Sequence, residues 1–261
     1  MEESKNLRLA RQARAEDNSE DAKLYYSKVR EEDPENGEAK FFYAYYSLYE
    51  GTNGELPKRF DNLCNVVESS INMIKKSSMS KEEKIKSIEE IVNAFSPETG
   101  AEISYMRHKN IENRVGESYV TVFEDSAIKS VYLAGIAALE NMGNQVGNLY
   151  DNDAECKKIA SIIWEDYILA ITKWYSYRRT SEEIRPTLTR LKEIGDQLGE
   201  VPEYKYVAVL AWSKFVKLAQ QFYAYVEKGE AEKYAEKIKK LDPSYVMPKK
   251  SGCISKIDYD L

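Results

Sequence analysis

Histidine is almost missing from these 261 residues, since His108 stands alone. One imidazole excludes helical di-iron designs, which need two Glu-x-x-His pairs, and the residue three before His108 is Tyr105. Cysteine is scarce too. Cys64, Cys156 and Cys253 are widely separated and odd in number, so neither a zinc cage nor a disulfide framework is indicated, and a reduced, cytoplasmic setting is expected. Cys64 and Cys156 lie on apolar stripes and read as core residues. The chain has no Gly-x4-Gly-Lys-Ser/Thr phosphate loop, no Gly-x-Gly-x-x-Gly and no Gly-x-Ser-x-Gly elbow. No metal or cofactor is therefore expected, and an enzymatic role has no motif to stand on. Long apolar runs are lacking as well. The most apolar stretch, IASIIWEDYILAITKWY, is interrupted by Glu165, Asp166 and Lys173, so no membrane span is expected, and MEESKNLRLARQ lacks the apolar centre of a secretory signal. An excess of positive charge is also absent. A net charge of −6 gives no general attraction to nucleic acid or anionic lipid.

Seven prolines and twelve glycines are few for this length, and 31% of the residues are charged, which suits long solvated helices better than tightly turned sheets. The expected fold class is all-α. The clearest signals lie in SEDAKLYYSKVREEDPENGEAKFFYAYYSLYEG, residues 19–51. Ser19 is placed to cap a helix starting at Glu20, Asp33-Pro34 stops it, and Asn36-Gly37 offers a flexible restart. A second helix is expected from Glu38 to Glu50, with Gly51 as its stop. Its six large aromatics, Phe41, Phe42, Tyr43, Tyr45, Tyr46 and Tyr49, are too many for one buried stripe, so this helix should meet neighbours on two sides.

Elsewhere, residues 5–18 form an amphipathic helix, and Lys58 to Ser77 another. Ser80-x-x-Glu83 is a capping box, and Ser96-Pro97 with Gly100 should end the helix it starts. Ile103, Met106 and Ile111 allow a further helix over 101–115. From Glu117 to Met142 one stripe recurs, and Gly135 within it, costing about 1 kcal/mol of helix propensity, implies close packing on a neighbour. Asp151 or Asn152 should cap a helix reaching Arg179, Thr180-x-x-Glu183 offers another capping box, and a last hairpin turns at Gly229. The expected organisation is one helical array over residues 1–243 and an extended tail over 244–261.

The spacing Asn6-x2-Leu9-Ala10-x2-Ala13, then Ala22-x3-Tyr26, then Pro34, resembles the tetratricopeptide repeat. Asn6 stands where that family usually has tryptophan, and Ala13 where it has tyrosine. The spacing returns as Phe215-x2-Leu218-Ala219-x2-Phe222, Ala231-x3-Ala235 and Pro243, so the best matches are residues 5–36 and 214–245, with a degenerate middle. The resemblance implies antiparallel helical hairpins stacked as an α-solenoid, in which small residues such as Ala22 and Ala231 let helices cross closely. It also implies a scaffold or adaptor that binds a protein or peptide without catalysis.

Tyr43, Tyr46 and Glu50 share a face that tolerates water better than phenylalanine would, and are the first candidates to contact a bound peptide. KWYSYRR, residues 173–179, interleaves bases with aromatics, and adds Tyr175, Arg178 and Arg179 as candidates. The simpler reading of that run is that cations sit favourably at a helix C-terminus. The acid runs Glu31-Glu32-Asp33 and Glu82-Glu83 read as solvated helix ends. Self-association through an aromatic surface, giving a structural homo-oligomer, is the alternative to peptide binding.

Overall fold

The computed structural model describes residues 4–48, 50, 55–115, 126–151, 153–175 and 181–249, with side chains apart from those of 102–131 and 173–183. Among these residues there are ten helices and no strand: α1 (Lys5–Ala15), α2 (Ser19–Glu32), α3 (Gly37–Tyr46), α4 (Leu56–Lys76), α5 (Lys81–Val115), α6 (Ser126–Gly147), α7 (Ala154–Tyr175), α8 (Ser181–Gly199), α9 (Lys205–Gln221) and α10 (Glu230–Leu241). The chain divides into two compact units, Met1–Ile163 and Trp164–Leu261, with the boundary inside α7. The expected 1–243 array spans both. Of the expected tail, residues 244–249 are irregular, and Cys253 lies outside the described residues.

In the first unit α1, α2, α3 and α4 pack in succession, while α5 touches α3, α4 and α6, and α6 also packs on α4. The two-sided burial expected of α3 is present. Phe42 stacks on Tyr26 of α2 at 5.3 Å between ring centroids, and Phe41 meets Phe95 of α5 edge-on at 6.5 Å. Phe41, Phe42 and Leu48 are buried. In the second unit α8, α9 and α10 pack in succession, and Gly229, at φ 86°, makes the left-handed turn into α10.

Local chemistry shifts several expected boundaries. Asn18, not Ser19, caps α2 by accepting from the Asp21 N–H at 3.2 Å, and Asp17 leaves α1 at φ 55°. Helix α3 stops at Tyr46, short of Glu50, because the chain tightens into a turn in which the Leu48 N–H donates to the Tyr45 carbonyl. Asp153 caps α7 in place of Asp151 or Asn152, since its carboxylate accepts from Glu155 N and Cys156 N. The Lys81 ammonium lies 2.5 Å from the same carboxylate and, with the Cys156 N–H, holds its pKa down at about 2.

Pro97 does not end its helix. α5 continues through it to Val115. Proline removes one intrahelical hydrogen bond, but Phe95, Ser96 and Thr99 are buried on both sides of it, and Thr99 Oγ1 donates to the Phe95 carbonyl at 2.9 Å. The capping box forms as expected, with Ser80 N–H donating to Glu83 and Glu83 N–H to Ser80 Oγ. Gly135 is also where close packing requires it, since an added Cβ would sit 3.2 Å from both Phe60 and Thr99. The stop at Gly51, the capping box at Thr180 and most of KWYSYRR lie outside the described residues.

Candidate functional site

The turn between α2 and α3 brings a glycine and an acid to the centre of the first unit. Asn36 caps α3 by accepting from Ala39 N at 3.0 Å. Gly37 follows, and its role differs from the flexible restart expected of it: a Cβ there would lie 2.3 Å from the Ser70 carbonyl, so its bareness lets α3 approach the α4 backbone. Glu38 is thereby carried inside. Its side chain is only 3% exposed.

That carboxylate is held by three helices besides its own. From α1, Arg11 donates through Nε at 3.0 Å and through Nη2 at 2.5 Å, and the Arg14 guanidinium lies 3.5 Å away. From α2, the Tyr26 hydroxyl donates at 3.0 Å, and from α5 the Ser87 Oγ stands at 3.5 Å. Burial raises the Tyr26 pKa, and the adjacent Glu38 charge raises it further, so Tyr26 stays a neutral donor. Arg14 also pairs with Glu90 and lies 4.1 Å over the Phe42 ring. Burial opposes its charge, but Tyr26, Glu38 and Glu90 outweigh that and raise its pKa. The Glu38 carboxylate is fully engaged, whereas the buried Arg14 Nη1 makes no hydrogen bond among the described residues and meets Glu38 only as an ion pair. Held from so many sides, the carboxylate is a structural knot rather than a reactive group.

Above this knot opens a groove of about 490 Å³, formed where α1, α3 and α5 begin and α2 and α4 end. Leu7, Val29, Ile74 and Met79 supply its apolar lining. Its acids are Glu32, Asp33, Glu35, Glu38 and Glu83, and its cation is Arg11, whose guanidinium is engaged by Glu38. The volume falls within the range of about 300–1,000 Å³ common for ligand pockets.

Tyr43, Tyr46 and Glu50 are brought together, but along α2. Lys23 and Arg30 of α2 lie 5.1 Å and 4.3 Å from the Tyr43 ring centroid, Lys23 pairs with Glu50, and Tyr46 stacks on Tyr26 at 6.4 Å. Both tyrosines are half-buried and Glu50 is exposed. Tyr175 ends α7 with its side chain outside the described set, and Arg178 and Arg179 lie outside the described residues altogether. Of the bases beyond them, Arg190 donates to the Tyr167 hydroxyl at 3.0 Å and Lys192 pairs with Glu230 at 2.5 Å, both within the second unit.

The spacing of residues did not single out the groove. Its acids come from the ends of different helices and from turns, and in the sequence they read as solvated termini. The one advance signal was the coincidence of acid runs with helix ends, at Glu32-Asp33 and at Glu83. Among the described residues no group of three or more His, Cys, Asp or Glu is placed to hold a metal ion, and no helix is long and apolar enough to cross a membrane. Comparison with family models, with curated proteins and with solved structures finds no match.

Proposed function

We propose that this chain is a non-catalytic interaction module, built of tetratricopeptide-like helical hairpins, that binds a protein or peptide. The observation that carries the reading is the open groove where α1, α3 and α5 begin and α2 and α4 end, a concavity lying over the buried Glu38 cluster. The repeat resemblance supports it, because the small residues at the expected crossings, Ala10, Ala22, Ala219 and Ala231, are all buried. Stacking of the hairpins as a solenoid, and a cytoplasmic setting, belong to the same proposal. The groove takes the partner's anchoring residues. The Tyr43, Tyr46 and Glu50 row contributes only the edges that α2 leaves uncovered.

Site-specific photocrosslinking tests this. A benzoylphenylalanine at Ser78, an exposed residue lining the groove, is expected to give a discrete adduct with another protein in native extract, whereas the same group at Glu68, exposed on α4 away from the groove, should not. Light scattering on the purified chain separates the alternative. A stable homo-oligomer whose Ser78 adducts are only with itself would replace the adaptor reading with structural self-assembly.

A further inference from the structure

Resting on that interaction reading, we infer that the groove recognises a basic peptide segment, taking a lysine or arginine side chain of the partner. Three features of the lining converge on this chemistry. The first is charge: five carboxylates line the groove, and the cation among them, Arg11, already has Glu38 against it at 2.5 Å. Lys75 and Lys76 end α4 nearby but do not line the groove. The second is reach, since Glu32, Asp33, Glu35 and Glu83 are all exposed and therefore able to meet an incoming cation at the rim. The third is the apolar part. Val29 and Ile74 are buried at its base and Leu7 and Met79 are half-exposed, a surface suited to the methylene stem of a long basic side chain whose charged end stays among the carboxylates.

Helix dipoles do not oppose this assignment decisively. Three helix N-termini and two C-termini meet at the groove, so their partial charges largely cancel. The free N–H groups that would favour an anion are engaged in part: Ser4 accepts from Leu7 N, Asn36 from Ala39 N and Ser80 from Glu83 N. Full carboxylate charges then outweigh what remains. A purely apolar partner would leave the carboxylates desolvated and unpaired, and an acidic one would be repelled.

The experiment is fluorescence anisotropy on the full chain with three labelled twelve-residue peptides of the same leucine and serine framework, carrying three lysines, three glutamines or three glutamates. The lysine peptide is expected to bind, and the double variant Glu32→Gln/Glu35→Gln to weaken it roughly tenfold, a change of about 1.4 kcal/mol. Glu68→Gln should leave affinity unchanged, and Ser78→Arg, which puts a cation into the groove, should weaken it as the double variant does. All these positions are exposed, and circular dichroism checks that each variant is folded. Equal binding of the glutamine peptide would overturn the cationic assignment while leaving an interaction module standing. Equal loss in Glu68→Gln and the double variant would show only general attraction to an acidic chain, and would also overturn it. Displacement of the peptide by spermidine at matched concentration would reassign the groove to a polyamine. Absence of binding by every peptide would sink the inference, and the Ser78 crosslink would then decide the interaction reading by itself.

Discussion

The two units each tie three successive helices together through one carboxylate, and they do it differently. In the first, Glu38 of α3 gathers Arg11 of α1 and Tyr26 of α2. In the second, Asp196 of α8 accepts from Trp212 Nε1 of α9 at 3.0 Å and from Tyr234 and Lys237 of α10 at 2.9 and 2.7 Å. A tyrosine hydroxyl and a cation recur in both. The difference is water: the Glu38 side chain is 3% exposed and that of Asp196 is 43% exposed. An interior carboxylate must be fully paired, because its charge has no solvent to fall back on, whereas a half-exposed one gains only modestly from the same bonds. The buried Glu38 itself lines the candidate groove, so the fully paired carboxylate lies directly beneath the candidate binding surface.

Substitutions at these points sharpen the contrast. Glu38→Gln carries the largest expected effect. Removing one side of a buried pair costs about 3–5 kcal/mol, and the lower end is expected here because Arg11, 35% exposed, can turn to water. An unfolding free energy from urea titration lowered by less than about 1 kcal/mol would show that the cluster is not a structural knot.

The glycines come next, and they too differ between the units. A Cβ on Gly37 meets backbone, the Ser70 carbonyl at 2.3 Å, whereas one on Gly195 meets the Trp212 ring at 2.6 Å. Backbone on a packed helix cannot give way without moving α4, while an indole can tilt. Gly37→Ala should therefore destabilise by roughly 2–3 kcal/mol and Gly195→Ala by less, overpacking of this kind costing about 1–3. The reverse order in thermal or chemical unfolding would mean that Trp212 is the less yielding neighbour.

The smallest effect is expected at Asp196. Partial burial pushes its pKa up, but bonds from Lys237, Tyr234 and Trp212 outweigh that and hold the carboxyl below the usual carboxylate range. A depressed pKa contributes stability above the unfolded value of about 3.9 that is lost as pH falls through the folded one. Asp196→Asn should thus cost about 1 kcal/mol at neutral pH, a figure kept small because solvent screens the site. The gap from the parent chain should close as the pH drops below about 4. A gap that stays constant with pH would assign the loss to packing.

Much of the local structure was legible beforehand. The Ser80–Glu83 capping box, the close contact at Gly135 and the two-sided burial of α3 follow from side-chain chemistry within a few residues or from helical spacing. The misplaced boundaries have a common cause. At Asn18 and Asp153 neighbouring caps differ by about a kcal/mol, and at Pro97 a local cost of about 3 kcal/mol is overridden; in each case tertiary contacts choose. The Tyr43, Tyr46 and Glu50 face was readable as half-buried, but not as the face that turns to α2. Gly195 went unnoticed because nothing in its own neighbourhood shows that Trp212, on the next helix, will fill its notch.

The sequence by itself determined the all-helical class, the core stripes and the Ser80–Glu83 capping box, because periodicity and capping depend on residues three and four apart along one chain segment. Only the tertiary structure decided which way Glu38 points, and that Arg11, Arg14 and Tyr26 would surround it. It also decided that carboxylates from the ends of α2 and the start of α5 would share one groove. Those relations join residues up to about fifty positions apart, and they depend on helix crossing angles and on the glycine that lets α3 meet α4. No local pattern encodes them, since packing energy is settled only when the helices come together.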